Sequence, residues 1–533
     1  MHANSSYISF EQTNAFSAIA NAYKKQAELL KPFFAHPTDF NGVASSIAAR
    51  ENFPTNRAIL VNHLALTYAS ISTNEAVQSN IQKLQHQNTF TITTAHQPNL
   101  LTGPLYFIYK IAHTIALSKQ LNAAMPQYHF VPVYYMGSED ADFDELNHFT
   151  IDSKKYEWKT NQTGAFGRMV LDKNSTALLQ ELSGQLSVLE YGNVVMDLIN
   201  GAYTHGCSIQ EATMQIVNKL FGAYGLIVFL PDSPLIKNEF AAIFKKELQE
   251  GFSSKAVKAS INELQNHYKV QAAGRAINLF YLKDDRRDRI EKNDQVYHVV
   301  NTEITFSEAE MMDELTNHPE RFSPNVILRG VLQETILPNV IFIGGGGEIA
   351  YWLELKKVFE EAGVPYPMLL LRNSFLLMNE KQQAIKTKLS LSDEQLFSTP
   401  DALAKQWVYE DPAAVDRIKI DLKNLSAFYL DVESKAAATD KTLVAHVASL
   451  RSKAENKIVQ LEKKFLRAEK KKYEDANRQV RQLKAGLFPG NNLQERVESI
   501  WGFYARYGDT IIDTIIESSP GLDTSFCMLT MPH

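Results

Sequence analysis

Cysteine is nearly absent from this chain: Cys207 and Cys527 are the only two in 533 residues. A chain of this length can bury a sizeable core without covalent staples. So few thiols exclude a disulfide framework and point to a reducing compartment. Neither cysteine sits in a redox or metal motif, so both read as packed or surface thiols. Long apolar runs are missing as well, and nothing approaches the ~18 uninterrupted apolar residues of a membrane span. Residues 1–16 lack the basic and apolar regions of a signal peptide, so a cytoplasmic protein is expected. Positive charge is not in excess. The formal net charge of -6 leaves no global field to draw nucleic acid or anionic lipid, and neither is expected as a partner. Gly-x-Ser-x-Gly, His-Glu-x-x-His and Cys-x-x-Cys are all missing, which sets aside serine hydrolase, zincin and zinc-ribbon readings.

What remains is an ordinary globular composition, 45% hydrophobic and 21% charged, long enough for two to four domains. Five short apolar runs read as strands: residues 90–95, 130–137, 226–230, 339–347 and 367–372. They alternate with helical patterns such as residues 105–124, whose Leu105, Ile108, Ile111, Ile115 and Leu121 share one face. Near-continuous apolar strands separated by helices predict an α/β fold with a Rossmann-like parallel sheet buried on both faces. Ligands of such sheets bind outside the carboxyl ends of the strands. The expected organisation is core at 1–150, 221–240 and 326–385, inserted subdomains at 151–220 and 241–325, a helical coiled-coil arm at 386–510 and a tail at 511–533. In the arm, Val447, Ala454, Leu461 and Ala468 recur at seven-residue spacing, with Leu450, Ile458 and Phe465 between them. A continuous helix there would run about 70 Å at 1.5 Å per residue. Residues 493–504 are assigned to a second helix of the same arm, which serves either as an internal hairpin or for dimerisation.

Three stretches could carry chemistry. In "TTAHQPNLLTGPLY", His96 follows a strand and Pro104 precedes a helix. His96, Gln97 and the amides of that first turn would cradle an anion, or the histidine is simply satisfied by backbone. In "VYYMGSEDADFDELNHF", five acids fall within residues 139–145, followed by Asn147 and His148. The acids could bind an amine or act as general base, hold a hard cation, or form a solvated loop. The first reading is preferred, because crowded carboxylates raise one another's pKa toward neutrality, and no metal is predicted. In "FIGGGGEIAYW", four glycines between strand and helix allow close backbone approach. No Gly-Lys-Ser/Thr follows, and Glu348 at the helix start disfavours phosphate, so an amine, hydroxyl or sugar suits that corner. Arg372 could pair with a carboxylate or phosphate, or lie at the surface.

The succession "TAHQPNLLTGPLYFIYK", "VPVYYMGSEDADFDELNH" and "SPNVILRGVLQETILPNVIFIGGGGEIAYWLELK" resembles the BshC family of bacillithiol biosynthesis, whose members are named as cysteine ligases. The likeness covers nearly the whole chain. It implies a Rossmann core with inserted connecting subdomains, a coiled-coil dimerisation domain and a homodimer. It also implies that cysteine is joined to the amine of glucosaminyl malate. Forming an amide from a carboxylate is uphill in water, so ATP is the expected activator. On this resemblance His96, Asp140 and Asp142 are the expected catalytic residues. Gln97, Asn99 and Gly103 are expected to bind substrate from the first stretch, and Ser138, Glu139, Asn147 and His148 from the second. Gly344, Gly345, Gly347, Glu348 and Tyr351 would do so from the third, with Arg372 meeting the malate carboxylate. The chain departs from the family at Ala95, where glycine is common, and at Gly346, where proline is common. The same crevice would also suit a nucleotidyl- or glycosyl-transferase, and the arm a non-catalytic dimeric scaffold.

Overall fold

A computed structural model describes residues 4–272 and 274–532. All five apolar runs form strands of one parallel sheet: β1 (Thr89–His96), β2 (His129–Met136), β3 (Ile227–Phe229), β4 (Asn339–Gly344) and β5 (Met368–Leu371), in the order β5-β4-β1-β2-β3. In β1 every residue but His96 is buried, on both faces, which is why the run is apolar or threonine throughout rather than alternating. Phe90, Ile92, Phe130, Ile341, Ile343, Met368 and Leu370 pack with Val43 and Ile47 of helix Phe40–Glu51 and with Leu117 and Leu121 of α1 (Tyr106–Ala124). Pro126 forces residue 125 out of helical geometry, and α1 stops there. Further helices matter for the site: α2 (Pro234–Asn238), α3 (Val326–Ile336) and α4 (Gly346–Ala362). Gly363 closes α4 in the left-handed region at φ 67°.

The first insertion holds the hairpin His148–Ile151/Lys154–Glu157 and three helices between Lys173 and Phe221. The second carries helices Ala241–Glu250 and Phe252–Leu264 and then a five-stranded antiparallel sheet. Its first two strands are Leu279–Lys283 and Arg286–Asn293.

The chain divides into two compact units, Met1–Leu377 with Asn492–His533, and Met378–Asn491. Two expectations about the arm are corrected here. The long helix is broken: α5 (Lys423–Thr439) folds back on α6 (Thr442–Lys470), a 3₁₀ turn covers Lys471–Tyr473, and helix Glu474–Leu487 follows. The turn lets Tyr473 pack on Trp407, with ring centroids 5.8 Å apart. At 1.5 Å per residue α6 runs only about 43 Å. Residues 493–507 belong to the first unit, where Glu498 accepts the Leu105 amide (2.8 Å) and the Trp501 indole donates to the Leu101 carbonyl (2.9 Å). The final segment is also built in: Phe526–Met531 pairs antiparallel with Asn4–Ile8. Among the described residues, no helix is long and apolar enough to cross a membrane.

Candidate active site

A cavity of about 610 Å³ opens at the carboxyl ends of the parallel strands. Every core strand contributes: His96 ends β1, Gly137–Asp142 follow β2, Pro231 follows β3, Gly345–Glu348 follow β4 and Arg372 follows β5. The parallel register sets His96 opposite Met136, and the Gly137 amide donates to the His96 carbonyl (2.8 Å). A larger recess of about 810 Å³ between residues 159–174 and the Asp284–Asp285 turn holds none of the predicted site residues.

The acid-rich loop does several things. Glu139 is buried and ion-paired with Lys237 of α2. Asp140 accepts from Gln97 (3.0 Å), so Gln97 orients a carboxylate. Asp142 stands at the exposed lip. Its pKa is raised, first by the neighbouring Asp140 charge and then by burial, while Arg287 pulls it back. Asp144 and Glu145 lie in the short turn Phe143–Leu146, exposed. The first insertion backs the loop through main-chain bonds from Phe166 to the Asp140 carbonyl (2.7 Å) and from Gly167 to the Ser138 carbonyl (2.9 Å). A Cβ on Gly167 would lie 2.5 Å from the Ser138 carbonyl oxygen, so only glycine fits that approach. Among the described residues no group of His, Cys, Asp and Glu has the arrangement to hold a metal ion.

His96 is partly buried, and its Nε2 is sealed from solvent with no hydrogen-bond partner. Burial, then the charges of Lys110, Arg372 and Arg329, push its pKa well below the usual histidine range, so the ring stays neutral. The expected amide cradle beside it is partly used up, since the Leu105 and Phe107 amides already donate to the Glu498 and Pro104 carbonyls. Glu348 accepts the Gly345 amide (2.9 Å), caps α4 and is ion-paired with Lys110, whose Nζ also donates to the Ala95 carbonyl (3.0 Å). Arg372 is buried in a two-pronged pair with Glu495 at 3.0 and 2.7 Å. Burial opposes its charge, but Glu495 outweighs this and the net shift is upward. Its Nε alone is unpartnered, near Gly345.

The cavity therefore brings together His96, Gln97, Ser138, Glu139, Asp140, Asp142, Gly345, Gly347, Glu348, Tyr351 and Arg372. It leaves out Asn99, Gly103, Asn147, His148 and Gly344. Asn99 is buried against the left-handed turn at Gly103. Asn147 donates to the Trp158 carbonyl (3.3 Å) and its Oδ1 accepts from the His148 ring (3.1 Å) at the base of the hairpin. Gly344 makes room for Phe342 and the Glu348 stem. Missed from the sequence were Tyr106, Lys110, Arg275, Arg287, Asn325, Arg329, Gly346 and Arg496, all of which line the cavity. A lysine inside the apolar face of α1 and an arginine inside that of α3 were the readable signals.

These features define a Rossmann-like α/β protein with a mixed-charge cleft at its strand ends. The family model described as "Bacillithiol biosynthesis BshC, N-terminal Rossmann-like domain" matches residues 3–373, and "Bacillithiol biosynthesis BshC, C-terminal coiled-coil domain" matches residues 375–531. The chain belongs to the BshC family. It is 38% identical over 526 residues to a protein of Flavobacterium johnsoniae named "Putative cysteine ligase BshC", covering 98% of this chain and 99% of that one. A protein of the same name from Flavobacterium psychrophilum is 38% identical over 98% of both chains, and one from Salinibacter ruber 27% over 91% and 93%. A solved structure described as a "putative arginyl t-RNA synthetase" from Campylobacter jejuni matches at a TM-score of 0.20 and 12% identity, covering 80% of this chain and 99% of that chain, too slight a likeness to bear on fold or activity.

Proposed function

We propose that this chain adds cysteine to the amine of glucosaminyl malate, forming the amide of bacillithiol. The observation that carries this reading is the convergence of all five strand ends on one cleft, with an acid pair set against a surplus of cations. Lys110, Arg275, Arg287, Arg329, Arg372 and Arg496 face Glu139, Asp140, Asp142 and Glu348. Four of these charges are committed to internal pairs: Lys110 and Glu348 with each other, Arg372 with Glu495, and Glu139 with Lys237. Arg372 is thus poorly placed to neutralise malate, and that role passes to Arg287 and Arg329. Arg329 reaches the Tyr351 hydroxyl (3.0 Å) and stands over the Tyr135 ring.

The acid pair takes the amine. An ammonium entering beside Asp140 and Asp142 is held by one carboxylate and gives a proton to the other. The amine nitrogen then attacks cysteine's activated carboxyl carbon, the C–N bond forms, the nitrogen's surplus proton passes to the carboxylate that held it, and the leaving group departs with the bonding pair. ATP supplies that leaving group when bound. The start of α4 is already capped by Glu348 and offers phosphate no seat, whereas the exposed rim residues Arg275 and Arg496 fit an anion. Neutral His96 contributes a hydrogen bond at the activated carboxyl. The test is mass analysis of cysteine plus glucosaminyl malate incubated with the full chain, with and without ATP. A product equal to the two substrates less one water is expected only with ATP, and its absence under both conditions overturns the reading.

Two copies are proposed to pair through the α5–α6 hairpin. Phe428 and Leu430 remain 61% and 54% exposed there, and Leu450, Leu461 and Phe465 are exposed along α6, more apolar surface than a lone hairpin leaves bare. The full chain should sediment at about twice 60.1 kDa, and Phe428→Asp with Phe465→Asp should return it to 60.1 kDa. A wild-type chain that already sediments at 60.1 kDa removes the dimer.

A further inference from the structure

Behind the acid pair lies a buried chain of polar groups, of which the chemistry above uses only Arg287. Lys237, 1% exposed on α2, is ion-paired with Glu139 and donates to the Phe322 carbonyl (2.6 Å). The Ser323 hydroxyl, fully buried on strand Phe322–Pro324, donates to the other Glu139 oxygen (2.9 Å) and accepts from Arg287 Nε (3.0 Å). Arg287 is further fixed by its bond to the Pro324 carbonyl (2.9 Å) and by stacking 4.0 Å over Phe280. Four chain segments meet here: the loop after β2, α2, and two strands of the second insertion.

We propose that Lys237, Glu139 and Ser323 form a positioning relay that ties the acid loop to the inserted sheet and sets where the Arg287 guanidinium stands against Asp140 and Asp142. None of the three needs to touch substrate; they act through Arg287. The relay rests on the role given above to the acid pair. A lysine and a glutamate are almost never this buried without a partner, and each is held here by two groups, Lys237 by Glu139 and the Phe322 carbonyl and Glu139 by Lys237 and Ser323. The hydroxyl is the joint, because one serine has one proton to donate and donates it to Glu139, leaving its lone pairs for Arg287. The charged groups acting on Asp142 are Asp140, which raises its pKa, and Arg287, which lowers it. Those acting on Arg287 are Asp140, Glu139 and Asp142. Removing the joint frees Arg287 Nε and strips Glu139 of a donor. The guanidinium then turns toward Glu139 and away from the lip, so that the repulsion between Asp140 and Asp142 goes unopposed.

The test uses the full chain with carbon-13-labelled aspartate carboxyls, the Asp142 signal being assigned by its loss in Asp142→Asn. In Ser323→Ala the Asp142 titration midpoint should rise by about one pH unit, and Ser323→Thr, which keeps a hydroxyl, should restore it. Lys237→Met should shift it the same way; if that chain fails to fold, Ser323→Ala decides. A Ser323→Ala chain that melts earlier with its Asp142 midpoint unmoved, or moved down, reduces the network to packing and overturns the relay. The titration needs no turnover, so a wild type that makes no amide would end the proposed function while the relay is still judged.

Discussion

Asp142→Asn should lower amide formation by about 10²- to 10⁴-fold, the span for loss of a general base, with the fold intact. Asp142 is exposed at the lip and its own side chain supports no other element, so the asparagine should cost little stability. The direction of its pKa shift gives the pH dependence. With Asp140 beside it, Asp142 takes up its proton at a higher pH than an ordinary aspartate. The acid limb of the rate profile should therefore lie above the ordinary aspartate range, with activity falling as pH drops through that limb. In Asp140→Asn the repulsion is gone and Arg287 remains, so the limb should move down. Wild-type turnover in Asp142→Asn, or an acid limb that Asp140→Asn does not move, would take the base away from this loop. His96→Ala should reduce the rate without displacing the limb, because the limb belongs to Asp142 and burial holds the His96 pKa well below the usual histidine range.

What could be read in the sequence was whatever sits at a strand end. Each core strand is a continuous apolar run that stops abruptly, so the residues after it, His96, the acids after Met136, the glycines after Ile343 and Arg372, were visible as candidates, and strand-end geometry gathers them in one cleft. Adjacency in sequence then misled. Asn147 and His148 follow the acids directly, but the turn Phe143–Leu146 carries them off into a hairpin. The cations were harder. Arg275 and Arg287 come from the second insertion, and Arg496 arrives from beyond the second unit; nothing local says that such segments reach the cleft. Seven-residue spacing showed that the arm is helical, but not that α5 would double back to cover part of α6, since folding back and pairing with a second chain satisfy the same stripe.

Glu495 is the partner no local pattern could supply, and its loss should be the most damaging single change to stability. It lies 123 residues from Arg372, and the two are 1% and 5% exposed. Arg372 Nη1 also donates to the Asn373 carbonyl (2.9 Å) and the Ser374 hydroxyl (2.8 Å), and the next residue, Asn373, is held by the fully buried His113 through its amide (3.2 Å). Glu495→Gln keeps the shape but leaves a guanidinium buried without a counter-charge and turns an amide NH₂ against it. The expected cost is about 3–5 kcal/mol, a large share of the ~5–15 kcal/mol that holds a typical protein folded. Trp158, Trp352 and Trp501 are fully buried in the first unit, so denaturant unfolding followed by tryptophan fluorescence reports on it. Arg372→Met combined with Glu495→Leu should recover most of the loss, because apolar pairs of similar volume often replace a buried ion pair at no cost. Recovery in the double variant but not in Glu495→Gln would show that the pair is needed against unpaired charge rather than for attraction. An unfolding midpoint in Glu495→Gln equal to wild type would mean that water reaches Arg372 and that its charge is free to serve the cleft after all.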